Sequence, residues 1–255
     1  MGKVKSNANR IVKLSTIKAI HKWLSLVVFV QLLIWLGTGL FFNVMDHDKA
    51  RGNQYRQAVQ TVAIDPQALM ATKQVLSQSE RAVKELSLVQ RLGQPYYLLT
   101  HEKALYRHFN NEYSLVNAYT GKTQQIDSVM ASSLAQLSYS GKAQVTKISK
   151  VSPPIDDFLK EQNTLWKIDF ADQLNTSVYL DAGSGRLVGH SNDDKRFVDF
   201  FFMLHFMDYP IFTKERTGGF NNGQIIFFAL LTLLLCLTGL IWTIEMLLKG
   251  RYKLR

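Results

Sequence analysis

Three histidines stand in or beside charge-free runs of the chain, and an imidazole is the side chain best able to ligate a metal or exchange a proton near neutral pH. His21 lies in His21-Lys22-Trp23 at the head of the first such run, and His47 lies just beyond that run between Asp46 and Asp48. His205 is set among Phe200, Phe201, Phe202, Leu204 and Phe206. An imidazole in so apolar a setting needs a hydrogen-bond partner or a metal to offset its desolvation. Each also has a plain structural reading. His21 can be an interfacial residue beside Trp23, His47 a solvated residue on an exit loop, and His205 a packed or capping residue on an aromatic helix.

Other chemistry is excluded by spacing. His101-Glu102 is followed by Leu105 where a zinc-binding H-E-x-x-H helix needs its second histidine. Neither G-x-S-x-G nor a P-loop occurs. The single cysteine, Cys236, rules out an intrachain disulfide and any C-x-x-C motif. Asp181, in Asp181-Ala182-Gly183-Ser184-Gly185, reads as a turn-forming acid, so no metal site is expected.

Two long apolar runs frame these histidines. Trp23 to Met45 holds 23 residues without a charge, roughly 34 Å as a helix and enough for a hydrocarbon core of about 30 Å. Ile225 to Ile244 is a second run of 20. The net charge of +10 is concentrated outside them: six basic residues and no acid in 1–22, four basic residues against Glu245 in 245–255. The long middle is left with 20 basic and 19 acidic residues, so there is no basic groove for a nucleic acid. Positive-inside orientation makes 1–22 and 245–255 cytoplasmic tails, 23–45 and 225–244 transmembrane helices and 46–196 an extracytoplasmic domain. In a bacterium that means the inner membrane, with the domain in the periplasm and lipid as a partner. Residues 197–212 read as an aromatic helix in the membrane interface stopped by Pro210, and 213–224 as a loop.

Between the spans a pattern occurs twice. A helix over Asp65–Ser77 precedes strand-like runs at Ala82–Gln90, Pro95–Thr100 and Tyr113–Tyr119, closing on Thr120-Gly121. A helix near Asp127–Leu137 precedes runs at Ala143–Val151, Thr164–Phe170 and Thr176–Leu180, closing on the Asp181 turn. Two similar halves, about 61–125 and 126–190, predict an α+β domain in which an antiparallel sheet carries helices. Gln31 and Thr38 in the first span, and Thr232, Thr238 and Thr243 in the last, read as helix-packing residues, within the chain or in a homodimer.

The segments HKWLSL (21–26), LGTGL (36–40), YLDAGSGRLVG (179–189), MLHF (203–206) and LTGLIW (237–242) together resemble the PepSY-associated transmembrane family. The resemblance covers most of the chain and implies a PepSY-like α+β domain between membrane helices. Some members of that family are linked to iron uptake as ferric-siderophore reductases that hold haem between helices. It therefore implies haem b held by imidazoles, with His21, His205 and His47 as the candidates and any enzymatic role that of an oxidoreductase component. His21 and His47, 26 residues apart, cannot share one haem within a chain; His47 and His205, or His21 from two chains, could. Two other function classes fit the same features: a non-enzymatic periplasmic binding or regulatory module of the peptidase-inhibitor type, and a scaffold subunit of a membrane complex.

Overall fold

The computed structural model describes residues 14–210 and 222–250, which divide into two compact units. Of these, the first unit contains 14–44, 201–210 and 222–250; the second contains Met45–Phe200. The basic stretches 1–13 and 251–255, and most of the loop expected over 213–224, lie outside the described residues, as does all of 211–221.

In the first unit, helix α1 spans Leu14–Val44 and helix α6 spans Gly223–Leu248, and the two pack against each other. Both are apolar and long enough to cross a membrane. Helix α1 begins nine residues before Trp23, because Lys18 and Lys22 do not interrupt a helix that extends past the hydrocarbon; Lys18 Nζ lies 5.4 Å from the centre of the Trp242 ring. Asn222 caps α6, its side chain accepting the Gln224 N–H at 2.9 Å.

The second unit carries two four-stranded antiparallel sheets where the sequence reading expected one. After a one-turn helix, α2 (His47–Ala50), and a 3-10 turn at Pro66–Ala68, helix α3 (Thr72–Ser77) precedes a meander of β1 (Glu85–Arg91), β2 (Gln94–Glu102), β3 (Glu112–Asn117) and β4 (Thr123–Gln124). Helix α4 (Ser128–Ser138), capped by Asp127 through Met130 N–H at 2.8 Å, precedes a second meander of β5 (Val145–Val151), β6 (Leu165–Phe170), β7 (Ser177–Asp181) and β8 (Leu187–Ser191). Helix α5 (Asp193–His205) follows, its first eight residues in this unit and the rest in the other.

Two sheets form because each meander has its own apolar faces. Alternate residues Tyr96 and Leu115 of the first sheet, and Ile168, Phe170, Val178 and Leu180 of the second, enclose Met130, Ala131, Leu134 and Ala135 of α4 in one core. The opposite face of the first sheet, through Tyr97, Leu99 and Val116, is covered by Val75 of α3. The opposite face of the second, through Leu165 and Tyr179, is covered by Ile155 of the long β5–β6 connection. One continuous sheet would leave no apolar surface for α4 to fill on both sides.

Candidate cofactor site in the membrane helices

The last residues of α5 belong to the membrane unit and are held there by aromatic stacking. Phe201 stacks on Phe41 at 4.1 Å and Phe202 on Phe42 at 4.5 Å between ring centres. The helix ends at His205, well before Pro210: Met207 takes a left-handed φ of +50°, and the Asp208 N–H returns to the Met203 carbonyl at 3.0 Å in a Schellman-type turn. Proline is thus not what stops it.

A helix end in an apolar setting leaves carbonyls that need donors. Side chains of the two long helices supply them. Trp35 Nε1–H donates to the His205 carbonyl at 2.7 Å and Gln31 Nε2–H to that of Leu204 at 3.4 Å. Asn222 Nδ2–H reaches the carbonyls of Phe206 at 2.8 Å and Met207 at 3.1 Å, and Gln224 Nε2–H that of Tyr209 at 2.8 Å. Gln31 is therefore a donor to the end of α5, not only a packing residue between two long helices.

Two of the three sequence-predicted histidines receive matching environments. His205 Nδ1 lies 2.8 Å from Thr38 Oγ1, and His21 Nδ1 lies 3.1 Å from Thr238 Oγ1. Each threonine hydroxyl already donates its proton to a carbonyl one turn back: Thr38 to Ile34 at 2.7 Å, Thr238 to Leu234 at 3.0 Å. With its own proton so engaged, each Oγ1 is placed to accept from the imidazole, an arrangement in which Nδ1 donates and Nε2 is the ring nitrogen left for another partner. Among the described residues neither Nε2 has a hydrogen-bond partner. The rings are further fixed edge-on, His21 against Trp242 at 5.6 Å and His205 against Phe42 at 5.3 Å. A neutral imidazole held through Nδ1–H with Nε2 presented is the form that binds a metal ion.

The threonines belong to a repeated tripeptide, Thr38-Gly39-Leu40 in α1 and Thr238-Gly239-Leu240 in α6. Sequence reading treated both as packing residues; the repetition of Thr-Gly-Leu was the signal available, and only the fold supplies the partners, 167 and 217 residues away. Gly239 has a specific reason to lack a side chain, since a Cβ there would lie 2.9 Å from His21 Cε1.

The structure does not bring the histidines together. Thr38, which holds His205, is 17 residues beyond His21 on α1, roughly 25 Å along the helix axis. His47 belongs to the other unit, exposed at the first position of α2, which Asp46 caps. Among the described residues its side chain makes no hydrogen bond or ring contact. The remaining histidines all belong to the second unit: His101 lies between the Ala82 carbonyl and Ser114, His190 lies against Ser138, and His108 stacks on Tyr106 at 5.4 Å between ring centres.

No group of three or more His, Cys, Asp or Glu side chains that could hold a metal ion by themselves occurs among the described residues. The geometry is that of two separate single-imidazole positions. Comparison with known proteins finds a match to the model of one family, described as the PepSY-associated TM region, over residues 18–252. No curated protein and no solved structure matches the chain. Since that match runs from before the first span to beyond the second, this membrane protein belongs to the PepSY-associated transmembrane family.

Proposed function

We propose that the chain is a haem-binding electron-transfer component of the bacterial inner membrane, with both tails in the cytoplasm and the soluble unit in the periplasm. The observation that carries this reading is the matching contact of His21 and His205, each with Nδ1 against a threonine hydroxyl. Each Nδ1 is engaged by a threonine hydroxyl that already donates to a backbone carbonyl, so Nε2 is the nitrogen that would hold a haem iron. Haem, when bound, supplies one-electron chemistry at potentials set by its axial ligands and by how dry the site is. The chain's own contribution is to orient the imidazoles and to keep water away. Phe42 and Phe206 lie edge-on to the His205 ring, at 5.3 and 5.4 Å, and Trp242 does the same for His21.

With the two imidazoles roughly 25 Å apart along α1, each would serve a different haem. A second ligand for each would come from another copy of the chain, so a homodimer completes both positions, one toward either face of the membrane. The resemblance to a family with ferric-siderophore reductases among its members supports delivery of the electrons toward a ferric complex on the periplasmic side.

The absorption spectrum of the full-length protein, purified after haem-replete expression, tests this. Soret and α bands are expected, with His205→Ala removing or shifting one α component while the protein stays folded and inserted. A colourless wild-type protein would remove the haem reading and leave a non-enzymatic binding module or scaffold subunit.

A further inference from the structure

We infer that the soluble unit has a binding site for a small organic carboxylate, in a cleft of about 550 Å³ between the first sheet and the turn after β7. The floor is one face of β1, where alternation places Ser87, Val89 and Arg91 side by side. The roof is the β2–β3 connection, which carries Leu105 and Tyr106, 80% and 54% exposed. The wall is the Ser184–Leu187 turn. Four cationic side chains line this space against one acid. Lys103 is paired with Glu85, and Arg186 lies 3.0 Å from the buried Glu161. Among the described residues neither Arg91 nor Arg107 forms a salt bridge, Asp181 acting on Arg91 only through space.

Arg91 is held in place by backbone carbonyls, not by a carboxylate. Its Nε–H donates to the Ser184 carbonyl at 2.9 Å and its Nη1–H to that of Gln90 at 2.7 Å, while Nη2 has no hydrogen bond. Burial pushes this guanidinium down from its ordinary range, only partly opposed by Asp181, so an incoming anion would offset a desolvation already incurred. A pre-positioned guanidinium matches a planar carboxylate fork to fork. Beside it the Val89, Leu98, Leu105 and Tyr106 side chains offer an apolar surface that a bare inorganic anion would leave uncovered. The occupant is therefore a carboxylate on an apolar or aromatic body.

The test is titration of the detergent-solubilised full chain with phenylacetate, its uncharged amide and inorganic phosphate, by calorimetry. Phenylacetate should bind with a Kd of about 1 mM or tighter, with the amide and phosphate at least about tenfold weaker. Arg107→Gln, whose side chain is exposed and needed by no other contact, should lower phenylacetate affinity about tenfold. Arg91→Gln should do so at least as strongly, and Arg196→Gln, in a different cleft of the same unit, should not. Absence of saturable binding, equal affinity for the amide, a preference for phosphate, or unchanged affinity in the folded Arg107→Gln protein would overturn the assignment.

Discussion

Asn117 and Asp181 hold the same place in two turns whose hydrogen bonds correspond one for one. Asn117 Oδ1 accepts from the N–H groups of Tyr119 and Thr120, both at 3.0 Å; Asp181 Oδ1 accepts from Gly183 at 3.1 Å and Ser184 at 2.7 Å. The backbone repeats as well. Gly121 and Gly185, at φ +70° and +64°, bond to the carbonyls of Asn117 and Asp181, which in turn bond through N–H to Lys122 and Arg186. Each turn joins the third and fourth strands of a meander that follows a helix, so the second unit uses one device twice.

The two positions are not equally demanding. Asp181 also accepts the Ser184 hydroxyl at 2.7 Å and is only 2% exposed, so truncating it strands three donors in the interior. Asp181→Ala is expected to destabilise the protein by about 2 to 4 kcal/mol, and Asn117→Ala by about 1 to 2. Asp181→Asn, which keeps the acceptor that serves in the other turn, should lie nearer the wild type than Asp181→Ala. Denaturant unfolding of the full chain, followed by circular dichroism, would show the order; an Asp181→Asn protein as unstable as the alanine variant would mean that charge matters more than the turn.

His190 sets an acid limit on the second unit. Its Nε2 meets Ser138 Oγ at 2.9 Å while that hydroxyl donates to the Ala135 carbonyl, so Nε2 carries the proton and the buried Nδ1 is left without a partner. Burial, with a smaller push from Arg56, lowers this imidazole to about 4. The unfolded chain, near 6.5, binds the proton first. Stability should therefore fall as pH drops from about 6.5 to about 4, by up to about 3 kcal/mol, and His190→Gln should flatten that window. Asp157 and Asp172 act lower. Burial alone would raise them, but hydrogen bonds from Tyr179 and Arg196, and from Tyr139 and Thr176, hold both below the usual range. Their share is lost only below about pH 4. Unfolding curves between pH 7 and 4 that are unchanged by His190→Gln would contradict the assignment.

The membrane helices were legible because a charge-free run of 20 residues has few other uses, and the repeated helix-then-meander order because Gly121 and Gly185 punctuate it. The split into two sheets was not. Which strand faces which is decided by apolar residues meeting α4 from both sides, a contact that no local pattern encodes. The short β4, two residues long, falls below any periodicity. In the membrane unit His21 and His205 drew attention by type and setting, whereas Thr38, Trp35 and Asn222 looked like ordinary span or turn residues. Their roles depend on where α5 ends, and Met207 at φ +50° ends it without a sequence signal, since neither glycine nor proline stands there.

Thr38 should be replaceable by serine but not by valine. Valine keeps the shape and removes the oxygen that accepts the His205 Nδ1–H at 2.8 Å, a loss of about 0.6 to 1.7 kcal/mol inside a membrane. Thr38→Val should therefore lower the melting temperature in detergent, and in a haem-loaded protein move the α band, because nothing then fixes the ring. Thr38→Ser should do neither. If the two variants behave alike, the hydroxyl is not what positions His205.

Gly239 and Gly37 offer a sharper contrast, because both lie inside membrane helices and only one is crowded. A Cβ on Gly37 meets nothing within 4 Å, and alanine is the better helix former by up to about 1 kcal/mol, so Gly37→Ala should be neutral or stabilising. A Cβ on Gly239 would sit 2.9 Å from His21 Cε1 and 3.5 Å from Nδ1. The imidazole would have to swing away from Thr238, giving up its 3.1 Å hydrogen bond and its edge-on contact with Trp242. Gly239→Ala is thus expected to lose about 1 to 3 kcal/mol despite the same gain in helix propensity. Thermal unfolding of the two variants in one detergent reads the sign directly, and the double variant Gly239→Ala/His21→Ala should recover part of the loss by removing the clash. A Gly239→Ala protein as stable as Gly37→Ala would mean that His21 does not pack against α6 at this glycine.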